Sequence, residues 1–201
     1  MTVVIATANA DKLRELEDLL ADTGVTLAPI GRWKGYTPPP ETGETLRENA
    51  EIKARTAAGH TGLPAIADDT GLDVAALGGL PGVRAARFAG EHATYADNRR
   101  KLLSLLAGVP PDRRQAVFRT VVALAFPDGE CHTVEGQCVG EITDEERGEG
   151  GFGYDPVFLV RPLGLTYAEM DAATKHTVSH RGAALARLRV VMADLARARR
   201  L

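Results

Sequence analysis

The sequence predicts an α/β fold with a mixed β-sheet. Three observations predict it: a β-branched, apolar opening segment over 2–7, a strand-and-helix alternation that continues to residue 106, and two longer strand-like segments joined by Pro127-Asp128-Gly129. The alternation is typical of βαβ units, whereas the Pro-Asp-Gly connection is a hairpin signal. Because a hairpin adds antiparallel neighbours, the sheet is expected to be mixed and not all-parallel.

Length and charge limit the classes of protein to consider. The 201 residues can bury a full core, so we expect one domain over 1–201, with room for a modest lobe. With 24 Lys and Arg against 27 Asp and Glu, the net charge is -3, and no broad basic surface for nucleic acid is expected. No charged-then-apolar leader is visible, and no apolar run approaches the roughly 18 residues that span a bilayer. A cytoplasmic, soluble protein without a membrane partner is expected.

The first strand, over 2–7, stops at Ala8, and Asn9 suits the N-cap of a helix that ends near Gly24. Lys12 then lies in the first helical turn, where the helix dipole disfavours a cation. A bound anion would explain this lysine, since free N–H groups at a helix N-terminus bind phosphate. The alternative is an ordinary capped helix, because many strand-to-helix turns carry Asn and Lys.

A second strand is predicted over 25–30, and a second helix follows it. Thr45-Leu46-Arg47-Glu48 is a capping box, which predicts a helix that continues to about Gly59. Asn49 and Lys53 are four residues apart and therefore share a face of this helix. The chain has only five lysines, so Lys53 is a candidate site residue; the alternative is a solvated helix lysine.

The most informative segment follows a short buried strand predicted over 63–67. Asp68 and Asp69 stand at its end, where open α/β sheets bind ligands. Adjacent carboxylates repel each other unless a cation or a shared proton intervenes, and Mg²⁺ favours one or two carboxylates with water and phosphate oxygens. Thr70 and Gly71 are expected to turn the chain. The alternative is that Asp-Asp-Thr-Gly forms only an Asx-type turn or a helix cap.

The next elements are predicted as a scaffold helix over 94–106 and strands over 116–126 and 131–140. The helix is amphipathic, and its leucines give it a core-packing face. Cys131 and Cys138 lack zinc-binding spacing and are expected to be reduced packing residues.

A glycine-rich segment over 149–154 places Phe152 and Tyr154 on flexible backbone. An aromatic ring on such a loop is a natural platform on which a base can stack. The alternative is a glycine-rich turn whose aromatic side chains fill the core.

A long C-terminal helix is predicted to begin after Thr177 or Ser179, which would place His180 and Arg181 in its first turn. The helix dipole disfavours cations there, so a bound anion or an electron-rich oxygen would explain them; the alternative is a solvated His180. The arginines within 197–200 suit the negative end of the helix and need no partner.

Six of these segments form a set of motifs in a fixed order. They are T-x-N-x-x-K at Thr7 to Lys12, E-T-G at Glu41 to Gly43, E-N-A-x-x-K at Glu48 to Lys53, A-D-D-T-G-L at Ala67 to Leu72, G-G-F-G-Y-D-P-x-F at Gly150 to Phe158, and K-x-x-x-S-H-R at Lys175 to Arg181. The set resembles the inosine/xanthosine triphosphate pyrophosphatase family, which hydrolyses non-standard purine nucleoside triphosphates. The resemblance covers nearly the whole chain.

The resemblance implies an elongated mixed sheet flanked by helices, two lobes with a central active-site cleft, a homodimer and a requirement for Mg²⁺. It implies hydrolysis of ITP, dITP and XTP to the monophosphate and pyrophosphate. Asp69 would be the catalytic carboxylate and, with Glu41 and Asp68, a metal ligand. The implied substrate-binding residues are Thr7, Ala8, Asn9, Ala10, Asp11, Lys12, Lys53 and Thr70 for the triphosphate, and Phe152, Gly153, Tyr154, Asp155, Lys175, His180 and Arg181 for the base. Pro40 precedes Glu41 where some relatives carry a second acid, which is a departure from the family pattern.

The chemistry explains why these residue types are needed. When water attacks the α-phosphate, charge builds on the leaving pyrophosphate, and Mg²⁺ and lysines stabilise it. Hypoxanthine and xanthine carry a 6-oxo group where adenine has an amine, so donors on Lys175, His180 or Arg181 would favour them. Whether Asp69 is the general base or mainly orients water and metal stays open.

Two other functions are compatible with parts of the sequence. One is a non-catalytic purine nucleotide-binding or sensing protein, against which the Asp68-Asp69 pair argues, because a sensor needs no water-activating centre. The other is a related pyrophosphatase for pyrimidine or damaged nucleotides.

Overall fold

The computed structural model describes residues 2–198, which contain eight β-strands and five α-helices. The mixed α/β fold class is confirmed. Arg199 and Arg200, two of the arginines predicted for the end of the last helix, lie outside the described residues. The strands are β1 (Thr2–Ile5), β2 (Thr26–Pro29), β3 (Ala65–Val74), β4 (Pro81–Gly82), β5 (Gln115–Ala125), β6 (Cys131–Ile142), β7 (Phe158–Val160) and β8 (Leu165–Thr166). The helices are α1 (Ala10–Leu20), α2 (Leu46–Thr61), α3 (Tyr95–Leu105), α4 (Ala172–Val178) and α5 (His180–Arg197).

The described residues divide into two compact units. The first unit contains 2–69, 120–136 and 181–198, and the second contains 70–119 and 137–180. Strands β3, β5 and β6 contribute residues to both units. The single domain over 1–201 and the cleft between two lobes stay predictions.

In the first unit the strand order is β2-β1-β3-β5-β6, and β1 pairs in parallel with both β2 and β3. Because successive side chains of a strand point to opposite faces, β1 is covered on both sides. Val3 and Ile5 pack with apolar residues of α1 and α5, whereas Val4 and Ala6 pack with the alanines of α2. This two-sided burial explains why the opening segment has no polar face.

In the second unit the strand order is β3-β5-β6-β7-β8, and β4 is antiparallel to β3. Strand β7 is antiparallel to both β6 and β8, which makes the sheet mixed, as predicted. Phe118, Phe158 and Tyr167 lie in the core of this unit together with Leu102 of α3. The core of the second unit is therefore rich in aromatic rings, whereas that of the first unit is mostly aliphatic.

One prediction about the acidic segment was wrong. Strand β3 does not end at residue 67, and Thr70 and Gly71 do not turn the chain, because β3 runs from Ala65 through Val74. Asp68 and Asp69 thus lie inside a strand. Side chains of opposite charge reach both carboxylates, as described below, and this compensation lets the strand continue through two buried acids.

Other local predictions hold. Asn9 caps α1, and Thr45 opens α2 with a capping box, as predicted. The helix predicted over 94–106 is α3, and the structure adds a capping box at Thr94. Cys131 and Cys138 are free thiols, as expected. Among the described residues, every helix is too short or too polar to cross a lipid bilayer.

Candidate active site

Strand β3 presents Asp68 and Asp69 in different directions, because neighbouring residues of a strand alternate between its faces. Both aspartates are buried, with exposed fractions of 2% and 5%. Each contacts a different set of cations of the first unit. We call the whole group the acidic cluster; it consists of Lys12, Glu15, Glu41, Asn49, Lys53, Asp68, Asp69 and Arg181.

Asp68 is held by two cations. Its Oδ2 lies 3.0 Å from Lys12 Nζ and 3.1 Å from Nη2 of Arg181. Burial alone would raise the pKa of Asp68, but the positive charges of Lys12, Arg181 and Lys53 outweigh it and hold this pKa far below its ordinary value. These contacts therefore favour the ionised form of Asp68.

Arg181 is itself fully buried, with an exposed fraction of 2%. Its Nη1 pairs with Glu15 of α1, and its Nη2 donates to Asp68. Burial opposes the charge of the guanidinium, yet the two carboxylates raise its pKa further above the ordinary value. By these contacts Arg181 belongs to the acidic cluster. The contact with the base that the family resemblance implies for it stays a prediction.

Asp69 shares a lysine with a second carboxylate. Lys53 Nζ lies 2.7 Å from Asp69 Oδ1 and 3.1 Å from Glu41 Oε1, so the two carboxylates converge on one cationic position. Burial raises the pKa of Asp69 above its ordinary value, against the opposing effect of Lys53. Burial would lower the pKa of Lys53, but Asp69, Asp68 and Glu41 raise it instead. Asp69 thus keeps more affinity for a proton than Asp68 does.

Asn49 fixes the loop that carries Glu41. Its Oδ1 accepts the backbone N–H of Gly43 at 2.8 Å, and its Nδ2 donates to the Gly43 carbonyl at 3.3 Å. A Cβ at position 43 would lie 2.6 Å from Cβ of Glu48, so only glycine fits there. Asn49 Nδ2 also lies 3.5 Å from Asp69 Oδ2. One side chain of α2 therefore contacts both Asp69 and the loop that carries Glu41.

The turn before α1 is organised by its own polar groups. Asn9 Oδ1 accepts the backbone N–H groups of Asp11 at 2.9 Å and of Lys12 at 3.1 Å, and the N–H of Asn9 donates to Thr7 Oγ1 at 3.1 Å. These three N–H groups, on which the predicted phosphate cradle depended, already have acceptors. Lys12 lies in the first turn of α1, as predicted. Burial lowers the pKa of Lys12, although the nearby Asp68 raises it. Phosphate binding by Thr7, Ala8, Asn9, Ala10 and Asp11 stays a prediction.

The donor chemistry of the acidic cluster suits a divalent cation. Four carboxylates lie among three cationic side chains, which leaves a formal charge of -1 on these groups. Within 2–198, no group of three or more His, Cys, Asp or Glu side chains is arranged to enclose a metal ion. Mg²⁺ needs no such enclosure, because it takes one or two carboxylates and completes its shell with water and substrate phosphate. The convergent oxygens of Glu41 and Asp69 meet that requirement.

The second unit holds the other predicted residues around Lys175. The Lys175 ammonium lies 2.6 Å from Asp155 Oδ2, 4.9 Å from the centre of the Phe152 ring and 5.6 Å from that of Tyr167. Asp155 Oδ2 also accepts the backbone N–H of Phe152 at 2.8 Å. Lys175 is thus held by one carboxylate and two aromatic rings. We call the whole group the aromatic cluster; it consists of Phe118, Phe152, Asp155, Phe158, Tyr167, Lys175 and His180.

His180 lies deep in this cluster, with an exposed fraction of 3%. Its imidazole stacks on the ring of Phe118, with the centroids 4.5 Å apart and the planes 12° from parallel. The centroid of the Tyr167 ring lies 6.0 Å from that of the imidazole, with the planes 26° apart. The solvated His180 considered from the sequence is therefore wrong. Tyr154 is also buried and donates to the Ala85 carbonyl at 2.8 Å, so this ring of the glycine-rich loop fills the core.

The sequence missed several residues that support these groups. Glu15 pairs with Arg181, and a signal existed, because Glu15 lies three residues after Lys12 on the same helix face. Thr120 is fully buried and donates to the Asp69 carbonyl at 2.9 Å; its signal is a polar residue inside an apolar strand. Tyr167 and Phe118 carried no signal, because aromatic residues in strands and turns are ordinary core residues.

Comparisons with known proteins agree with these motifs. Residues 3–191 match the model of the Ham1 family. A dITP/XTP pyrophosphatase from Desulforamulus reducens is 51% identical over 92% of this chain and 92% of its own length, and one from Geobacter sulfurreducens is 48% identical over 93% and 94%. The solved structure of a HAM1 protein from Coxiella burnetii has a TM-score of 0.87 and 42% identity, and the match covers 96% of this chain and 99% of that one.

Proposed function

The chain belongs to the Ham1 family, and from this premise we propose that it hydrolyses the non-standard purine nucleoside triphosphates ITP, dITP and XTP to the monophosphate and pyrophosphate. The observation that carries the proposal is the convergence of Glu41 and Asp69 on Lys53, with Lys12, which pairs with Asp68, as a second lysine of the same cluster. This is the donor set that phosphoryl chemistry requires, because carboxylates hold a metal and orient water while lysines balance the phosphate charge.

We assign the phosphate chemistry to the acidic cluster. Glu41 and Asp69 would hold Mg²⁺, which supplies charge stabilisation for the phosphate oxygens when it is bound. Lys12 and Lys53 would neutralise further charge on the triphosphate. Asp68 would act through Lys12 and Arg181, because its contacts hold both cations in place.

The reaction needs one bond formed and one bond broken. The oxygen of a water molecule bonds to the α-phosphorus, and the bond from that phosphorus to the α,β-bridging oxygen breaks, so pyrophosphate leaves. Asp69 would orient the water and accept its proton, which later passes to solvent. Lys12 and Lys53, which lie beside these carboxylates, would stabilise the negative charge that develops on the leaving pyrophosphate.

We assign the base to the aromatic cluster. Phe152 offers a ring for stacking, and Lys175 and His180 supply candidate donors for the 6-oxo group of hypoxanthine or xanthine. Adenine presents an amine at the same position, so a donor there would be left without an acceptor. This difference would favour ITP, dITP and XTP over ATP.

A panel of triphosphates tests the proposed function. ITP, dITP, XTP, ATP and GTP are each incubated with the chain, with and without Mg²⁺, and pyrophosphate and orthophosphate are measured separately. We expect Mg²⁺-dependent pyrophosphate release that is much faster from the first three. Equal rates on all five would remove the selectivity, and nucleotide binding without any product would favour the non-catalytic sensing protein.

Two further statements are part of the proposal. Family resemblance supports a homodimer and a cytoplasmic location, and the size-exclusion mass of the purified chain tests the first. A mass of about twice 21.4 kDa is expected.

A further inference from the structure

One face of α3 reaches the glycine-rich loop that carries Phe152. Arg99 Nη1 donates to the carbonyl of Gly153 at 2.9 Å, and the ring of Tyr95 lies 6.0 Å from the ring of Phe152, at an interplanar angle of 44°. Tyr95 and Arg99 are four residues apart, so they occupy the same face of the helix. Two adjacent residues of the loop are thus contacted by one helix of the same unit.

Helix α3 is itself firmly anchored. Asn98 is buried, and its side chain donates to the Ala86 carbonyl at 3.0 Å and accepts the N–H of Ala89 at 2.7 Å. Leu102 is fully buried in the core of the second unit. A helix held in this way can act as a fixed support for a neighbouring loop.

The loop needs such a support. Gly151 and Gly153 have φ values of +69° and +60°, so glycines flank Phe152 on both sides in the left-handed region. Asp155 restrains the N–H of Phe152, and Arg99 restrains the carbonyl of the next residue. Arg99 is in turn held by Glu146, whose Oε1 lies 2.9 Å from Arg99 Nε.

We propose that Tyr95 and Arg99 are positioning residues that fix the ring of Phe152 and thereby set the affinity for the purine base. The inference rests on the proposed function. It gives α3, which the sequence predicted only as a scaffold helix, a role in substrate selection. A platform fixed in its binding geometry loses less conformational freedom when the base stacks on it, so binding is tighter.

The test compares two substrates, one that carries a purine base and one that lacks it. Steady-state kinetics are measured with ITP and with ribose 5-triphosphate, which keeps the sugar and the triphosphate. Arg99→Met should raise KM for ITP roughly fivefold, as loss of one hydrogen bond does, with kcat unchanged within about twofold. KM for ribose 5-triphosphate should not change, and Arg99→Lys, which keeps a donor, should recover part of the affinity for ITP.

The neighbouring arginine provides a matched control. Arg100 pairs with Asp97 on the same helix and its side chain is 75% exposed, so Arg100→Met should leave both KM values unchanged. Tyr95 is 39% exposed and offers a second pair of variants that should fold. Tyr95→Leu should raise KM for ITP about threefold, whereas Tyr95→Phe, which keeps the ring, should not.

The outcomes separate this inference from the proposed function. An unchanged KM for ITP in both Arg99→Met and Tyr95→Leu, or an equal loss on both substrates, would overturn the positioning role while the enzyme stays active. Absence of pyrophosphate release from ITP by the unmodified chain would overturn the proposed function instead.

Discussion

The acidic cluster and the aromatic cluster are built from different kinds of contact. The acidic cluster holds seven ionisable groups, and two of its carboxylates share one lysine. The aromatic cluster contains the ion pair between Lys175 and Asp155, set among aromatic rings. Charge arrangement dominates the first, and shape and stacking dominate the second.

The two clusters should therefore tolerate different kinds of substitution. In the acidic cluster each charged group contacts at least one group of opposite charge, so removal of one group leaves a neighbour with less compensation. In the aromatic cluster a ring replaced by an aliphatic side chain loses stacking but leaves no buried charge. Substitutions in the first region should therefore affect turnover and folding, and those in the second should affect mainly affinity for the base.

The largest effect is expected from Asp69→Asn. The amide keeps the shape but neither accepts a proton nor balances Lys53, so kcat for ITP should fall by roughly 10³-fold or more, at the upper end of acid–base contributions. Steady-state pyrophosphate release measures this. Asp73→Asn is the matched control, because Asp73 lies on the same strand and pairs with the half-exposed Arg119. A normal kcat in the Asp69→Asn variant would show that Asp69 takes no part in the chemical step.

The next effect is expected on folding. Arg181→Met leaves Asp68 and Glu15 without their shared cation, so the free energy of unfolding should fall by about 3–5 kcal/mol. Urea titration followed by circular dichroism measures it. Arg189→Met on the same helix removes a surface pair with Asp22 and should cost about 1 kcal/mol or less. Equal losses in the two variants would contradict the buried network.

The smallest effect is expected from Phe152→Leu. Loss of one stacked ring should raise KM for ITP roughly tenfold, because stacking contributes about 1–3 kcal/mol per base, and should leave kcat nearly unchanged. Phe88→Leu is the control, since Phe88 also carries a lysine over its ring, at 4.5 Å, outside the aromatic cluster. A fall in kcat with KM unchanged would move Phe152 from base binding to the chemistry.

The two regions also differ in how far the sequence predicted them. The acidic cluster was largely predictable, because Asn49 and Lys53 share a helix face by spacing and the aspartates are adjacent in the chain. Even so, their place inside β3 was missed, since two buried acids in a strand are stabilised only by partners such as Lys12 and Arg181, which lie far away in sequence.

The aromatic cluster was only half predictable. The glycines around Phe152 predicted an unusual loop, and the K-x-x-x-S-H-R motif predicted a role for Lys175. The supports from Phe118, Tyr95 and Arg99 come from strands and helices that carry no local signal, because their contacts with the loop and with His180 depend on tertiary packing. Sequence motifs therefore identified the side chains proposed to bind the substrate. The residues that support those side chains are determined by tertiary packing.

Hydrolysis of ITP in ¹⁸O-labelled water, followed by mass spectrometry of both products, tests most directly whether the acidic cluster directs water to the α-phosphorus. We predict one labelled oxygen in inosine monophosphate and none in the pyrophosphate. Label in pyrophosphate or in free orthophosphate would place the attack on another phosphorus and contradict the account.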